Sequence, residues 1–298
     1  MSLSGWLPIL AGVLAAATPL LIAALGELIA EKSGVLNLGV EGMMLVGALT
    51  AFAVASGGAG YAAGALAGAL AGVGLAALFA WLTLNCLASQ VACGLAITML
   101  GSGLSAYAGR DYVSRTLDGM ALIPLGGGFG FDPLIVTGLL LTVLVWYFLQ
   151  RSRAGLVLRA VGESPATAHA LGLPVRCIRW AAVLFGGACA GLAGAYLAID
   201  YTPMWVEGLS AGRGWIALAL VVFAGWRPGR TLLGAWLYGG VGILQFHAQA
   251  LGIAVPAQFL GMLPYLATIV VLTLIARDPL TQRRHTPASL GQPWHPHA

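Results

Sequence analysis

The residues able to do chemistry in this chain are few, and they sit where charge is costly. Between Gly26 and Gly47, G-E-L-I-A-E-K-S-G-V-L-N-L-G-V-E-G-M-M-L-V-G holds Glu27, Glu31, Glu41, the only lysine (Lys32) and Asn37, flanked by apolar runs. Ionisable groups in such surroundings mark solute or ion paths, proton relays or polar turns. Glu27, Glu31 and Lys32 read as a solvated turn. Asn37 and Glu41 differ, because Gly34, Gly39 and Gly42 surround them and apolar residues follow at once. Glycine frees backbone groups to line a cavity. A second such place is G-L-S-A-G-R-G-W from Gly208, followed by an apolar run too short to cross a bilayer. Paired glycine-interrupted segments are a pointer to a transport site. Asn37, Glu41, Ser210 and Arg213 are therefore the candidate pathway residues, with Arg213 equally readable as an interfacial arginine whose stem lies on apolar surface.

Other constellations carry less. Gly26 and Lys32-Ser33 have the spacing of a phosphate-binding loop, but Glu31 stands where the second glycine belongs. Gly208-Leu209-Ser210-Ala211-Gly212 matches G-x-S-x-G without the strand a nucleophile elbow needs. A Ser210–His247 dyad would make an intramembrane serine protease. Cys86, Cys93, Cys177 and Cys189 form neither C-x-x-C nor a metal spacing with histidine.

The elements that hold these residues follow from composition. The 298 residues are 59% hydrophobic and 8% charged, with a mean hydropathy of +0.91. A soluble domain carries about 25% charged residues, so this composition cannot cover a water-facing surface. The net charge of +4 points to no nucleic acid. Apolar runs predict an all-α, polytopic transmembrane bundle of about nine segments: 6–25, 40–55, 61–84, 87–108, 133–149, 180–199, 215–226, 232–246 and 257–276. Two of these are short or broken. Residues 1–280 form one membrane domain, with a basic loop at 150–179 and a polar tail at 281–298. Arginines concentrate in that loop, at Arg227 and Arg230, and in the tail. Threading places all three on one side, which the positive-inside rule makes cytoplasmic. The N-terminus is then outside and the C-terminus inside. Gly60, Gly64, Gly68 and Gly72 form a small-residue row read as packing within one subunit rather than a dimer seam.

Within the basic loop, E-S-P-A-T-A-H-A-L-G-L-P encodes a short helix. Ser164 is an N-cap, Pro165 suits the first turn, Gly172 suits the position past the C-terminus, and Pro174 stops it. A free helix of about two turns is unstable in water, so it must pack. Its expected exposed residues are Ala166, Ala168, Ala170, Leu171 and Leu173. They suit either a knob for a soluble partner or a helix lying on the membrane surface.

These residues resemble a family. Gly26–Ala48 looks like the N-terminal signature of ATP-binding-cassette importer permeases for branched-chain amino acids, simple sugars and purine nucleosides, closest to the nucleoside and sugar branch. Arg159–Leu173 is similar to that family's coupling loop, with Ser164 and His169 departing from its commonest residues. Gly212–Pro228 resembles its later half-helix, and Thr286–Trp294 resembles the tail of nucleoside-type members. The resemblance implies a permease subunit, not an enzyme, paired with a second permease chain, usually a paralogue. A cytoplasmic ATPase holding ATP and Mg docks on the coupling helix, and an extracytoplasmic binding protein delivers solute. No cofactor or metal is implied on this chain. Arg159, Gly162, Glu163, Ser164, Pro165, Ala168, Leu171, Gly172 and Leu173 are then the ATPase-coupling residues. A secondary transporter working alone, using Glu41 and Asp200, is the alternative reading.

Overall fold

A computed structural model of the chain describes residues 3–121, 123–126, 129–250 and 286–295, with residues 259, 262, 266, 270 and 273 between them. Long helices dominate: α1 (Leu3–Lys32), α2 (Val40–Val54), α3 (Tyr61–Ala80), α4 (Gln90–Ala108), α5 (Pro133–Arg151) and α8 (Val175–Tyr196). Between α5 and α8 lie α6 (Arg153–Glu163) and the six-residue α7 (Pro165–Ala170). The half-length α9 (Arg213–Phe223) and then α10 (Pro228–Ala250) follow α8. A hairpin, β1 (Ile123–Gly126) with β2 (Phe129–Phe131), pairs Ile123 with Phe131 before α5. Helices α2, α3 and α8 each run on into a π turn, at Ala55–Ala59, Trp81–Asn85 and Leu197–Tyr201.

Six described helices are long and apolar enough to cross a membrane. With α9 and α10 they account for eight of the nine expected segments; the last, 257–276, lies mostly outside the described residues. Helices α1, α2, α3 and α8 form the centre of the bundle, and α8 packs against the other three. Small residues permit the close approach. Gly64 and Gly68 lie against carbonyls of Ala51 and Gly47 on α2, and Gly72 against the Gly187 carbonyl on α8. These three glycines of the row are occupied inside one chain. Gly60 instead precedes α3 with a φ of 88°, with open space around it.

The first break differs from expectation. Helix α1 does not end near Leu25 but continues to Lys32, and Glu27 and Glu31 are 1% and 0% exposed on it. They are not a solvated turn. Gly26 causes no stop because it packs against Cys189 and the Gly186 carbonyl of α8. The chain leaves the helix at Gly34, whose φ of 91° suits glycine.

Candidate functional site

Glu41 joins the two polar breaks. It lies in the first turn of α2, and its carboxylate faces the start of α9. Its Oε1 accepts from the Ser210 hydroxyl at 2.5 Å and from the Gly212 N–H at 2.9 Å. Its Oε2 accepts from the Gly214 N–H at 2.6 Å. The first amides of a helix have no partner within it, and its N-terminus carries partial positive charge. Glu41 supplies both the acceptor and the counter-charge from another helix. Gly214 is required here, because a Cβ would collide with the Glu41 backbone and carboxylate. Gly212, with a φ of 81°, turns the incoming loop into α9. Eleven residues of helix rise about 17 Å, roughly half of a ~30 Å hydrocarbon core. The far end of α9 is held as well, since the Trp226 indole N–H donates to Glu31 on α1.

Asn37 organises the first break from inside. Its backbone N–H donates to Glu27 Oε1 at 3.0 Å, and its side-chain Oδ1 accepts from the Gly39 N–H at 2.9 Å. Gln90, at the start of α4, accepts from the Leu36 N–H at 2.8 Å, and the Thr98 hydroxyl donates to the Leu38 carbonyl at 2.8 Å. The N–H groups of Leu36, Asn37 and Gly39 and the Leu38 carbonyl, all outside any helix, thus find their partners in protein side chains. Asn37, Glu41 and Ser210 are all buried within the single chain. Arg213 is half-buried. It turns back toward the Leu209 and Ser210 carbonyls at 3.4 and 3.5 Å and sits 5.7 Å from the centre of the Tyr201 ring.

The segment of α6 and α7 has its own architecture. Ser164 Oγ accepts from the Thr167 N–H at 3.3 Å, Pro165 opens α7, and Gly172 with a φ of 80° ends it. Helix α7 buries Pro165 and Ala168 and exposes Ala166, Ala170 and Leu171, the last by 75%. Ala168 is therefore not an outward contact as expected: it packs with Val161, Val175 and Trp294, because a six-residue helix needs a buried anchor. Leu173 is half-buried in the same cluster. Glu163 is exposed at the end of α6. Gly162 lies where a Cβ would collide with the Lys32 carbonyl, so α6 approaches the end of α1 only because that position is glycine. Arg159 reaches back toward the Gly155 carbonyl at 3.4 Å.

Sequence reasoning missed the residues that tie these parts together. Arg179, expected as a loop cation, is 1% exposed on α8. Its Nε donates to the Ser33 carbonyl at 3.1 Å, and one terminal nitrogen donates to Ser289 Oγ at 3.0 Å. Ser289 in turn donates from its hydroxyl (2.7 Å) and its N–H (3.1 Å) to the Gly162 carbonyl. Gly291 N–H donates to the Gly34 carbonyl at 3.2 Å, and the Trp294 ring stands edge-on to His169, 5.3 Å between centres. Residues 286–295 thus strap α7 to the first break. The only signal was the resemblance of Thr286–Trp294 to a family tail; the partners lie 110 or more residues away.

The remaining candidates resolve simply. Ser210's hydroxyl is given to Glu41, and the side chain of His247 lies outside the described residues, as does His297. Asp200 accepts from the Met120 N–H at 2.9 Å and so pins the 109–121 loop to the end of α8. Among the described residues no three His, Cys, Asp or Glu side chains gather as a metal site. All four cysteines are free thiols.

The chain is a helical membrane bundle with two interrupted segments and a short, partly exposed helix tied to one of them. Residues 9–274 match the family described as branched-chain amino acid transport system/permease component, and the chain belongs to that family. It is 40% identical to a putative glucose ABC transporter permease protein of Haloferax volcanii, over 94% of each chain. It is 31% identical to a nucleoside ABC transporter permease protein of Lactococcus lactis, over 89% of this chain and 91% of the relative. It is 30% identical to a guanosine ABC transporter permease protein of Bacillus subtilis, over 86% and 88%. No solved structure matches it. The chain is thus the multi-pass membrane component of an ATP-binding-cassette transporter, a class that works with an ATPase and a substrate-binding protein.

Proposed function

We infer that this permease imports a small polar solute, a purine nucleoside first and a simple sugar second. A cytoplasmic ATPase, which binds the ATP and Mg, drives it through α7. The observation that carries the mechanism is the strap: α7, the Gly162–Lys32 contact and Gly34 share one hydrogen-bonded seam with residues 286–295. Movement of α7 by a bound partner therefore reaches the first break, and Glu41 passes it to the second. Such a two-state element, biased by a ligand bound elsewhere, is what ATP-driven transport needs. In this reading Asn37, Glu41 and Ser210 hold the wall of the path, and Arg213 is the member exposed enough to meet solute. The coupling end, with Arg151, Arg153 and Arg176, faces the cytoplasm, as the positive-inside rule favours. A second permease chain, a paralogue, completes the path, and an extracytoplasmic protein selects the solute.

The nucleoside assignment draws on the Gly26–Ala48 signature and on two relatives named for nucleosides; the sugar reading draws on the relative named for glucose. Uptake of labelled guanosine by cells expressing the whole transporter tests it. Expected is uptake that excess adenosine suppresses and excess glucose does not; glucose uptake without guanosine uptake would reverse the order. For coupling, Leu171→Asp is expected to abolish uptake while leaving the melting temperature unchanged. Undiminished uptake by that variant would remove α7 as the docking element.

A further inference from the structure

The bundle is not filled everywhere by its own side chains. A cavity of about 490 Å³ lies between α1, α5, α6 and α8. Its lining side chains are alanine, valine, leucine, isoleucine and phenylalanine. The floor is deep: Ile29 of α1, Leu158 of α6 and Ala182 of α8 are 5%, 4% and 3% exposed. The mouth is open, with Leu144, Ala154 and Ala181 all exposed. The volume falls within the ~300–1,000 Å³ of ligand pockets. Protein interiors otherwise pack like organic crystals. Apolar walls this far apart lose their contacts unless something apolar stands between them.

We propose that this cavity binds one acyl chain of a phospholipid, whose phosphate lies against Arg151 and Arg153. Helices α1, α5 and α8 are long and apolar enough to span the bilayer, so the medium at an opening between them is lipid. The depth fits a chain of one leaflet. From Leu141, which lines the cavity, to Arg151 at its end, α5 rises about 15 Å. That is half of a ~30 Å hydrocarbon core. The charge fits as well. Arg151 ends α5 and Arg153 begins α6, and both are exposed. A guanidinium pairs with phosphate oxygens two bonds at a time. Arg153 directly precedes Ala154 of the mouth, so headgroup and chain enter at one place. The proposed orientation bears only on the leaflet, which it makes the cytoplasmic one. Helix α6 forms one wall, and its Gly162 carbonyl is bonded to Ser289 of the strap. A chain in the cavity therefore lies beneath the helix that carries α7.

Photolabelling of the intact transporter tests this, in phosphatidylglycerol vesicles containing a phosphatidylglycerol probe with a diazirine halfway along one acyl chain. Expected is label concentrated on the lining stretches of α5, α6 and α8. It should fall about tenfold in Ala181→Trp, since each methylene kept out of the cavity weakens binding severalfold. Ala154→Trp, which plugs the mouth from α6, is expected to do the same. Undiminished label in either variant, at an unchanged melting temperature, overturns the site. On the unaltered protein, label spread evenly over the outward faces of the helices overturns it without any substitution. The double variant R151Q/R153Q is expected to lose label from the phospholipid probe but keep label from a diazirine-bearing alkane. Equal loss of both, or of neither, overturns the phosphate contact. Because binding is read without transport, failure of the nucleoside assignment leaves this result untouched.

Discussion

Glu41 and the Glu27–Glu31 pair are buried carboxylates a short distance apart in sequence, yet they are held in opposite ways. Glu41 receives three donors on its two oxygens, all from the loop and first turn of one helix. Glu27 and Glu31 receive one donor each, and Glu27 Oε2 and Glu31 Oε1 have no hydrogen-bond partner among the described residues. A buried polar group left unmatched costs about 1–3 kcal/mol. The first arrangement is a fixed joint between α2 and α9. The second keeps spare acceptor capacity at the end of α1, beside the strap, where a change of partner costs least. A transporter needs both: something that moves as a unit and something that can re-pair while it moves.

The comparison can be broken by removing acceptors in turn. Glu41→Ala leaves the Ser210 hydroxyl and two amides unmatched, and is expected to destabilise the fold by about 3–5 kcal/mol, read as a large drop in melting temperature of the purified complex. Ser210→Ala removes one donor from a carboxylate that keeps two, and should cost about 1.5–3 kcal/mol. Trp226→Phe takes the indole N–H from Glu31, with an expected cost of about 1–3 kcal/mol, and adding Glu31→Leu should recover part of it because the orphaned acceptor goes too. Glu27→Gln retains an acceptor for the Asn37 N–H and adds an amide donor near Glu31, so its cost should stay below about 1 kcal/mol while the transport rate changes. A Glu27→Gln variant as damaged as Glu41→Ala would erase the distinction between joint and slack.

Which parts were legible follows from the range of the forces. The membrane spans were, because an apolar run of sufficient length needs no partner to be recognised. So was α7, whose cap, first-turn proline and terminal glycine are all local. The meeting of Gly208–Gly214 with Asn37–Gly42 was an expectation from two glycine-interrupted segments, and the hydrogen bonds of Glu41 give it atomic form. The burial of Glu27 and Glu31 was not legible. Their charge reads as solvated until the donors are known, and one of those donors, Trp226, is 195 positions from Glu31. Arg179 illustrates the same limit: counted as one more basic loop residue, it is instead the centre of the seam between Ser33 and Ser289.

That seam has a consequence for biosynthesis. Ser289, Gly291 and Trp294 follow α10 in the sequence, yet they close onto Gly34, Gly162 and His169. Helices can enter the bilayer one after another as the ribosome delivers them, but the joint between α1 and α7 stays open until residue 294 has emerged. Pairings this distant in sequence form late. A chain cut short of residue 289 can have its helices in the membrane, but it lacks the bonds that tie the break after α1 to α6 and α7.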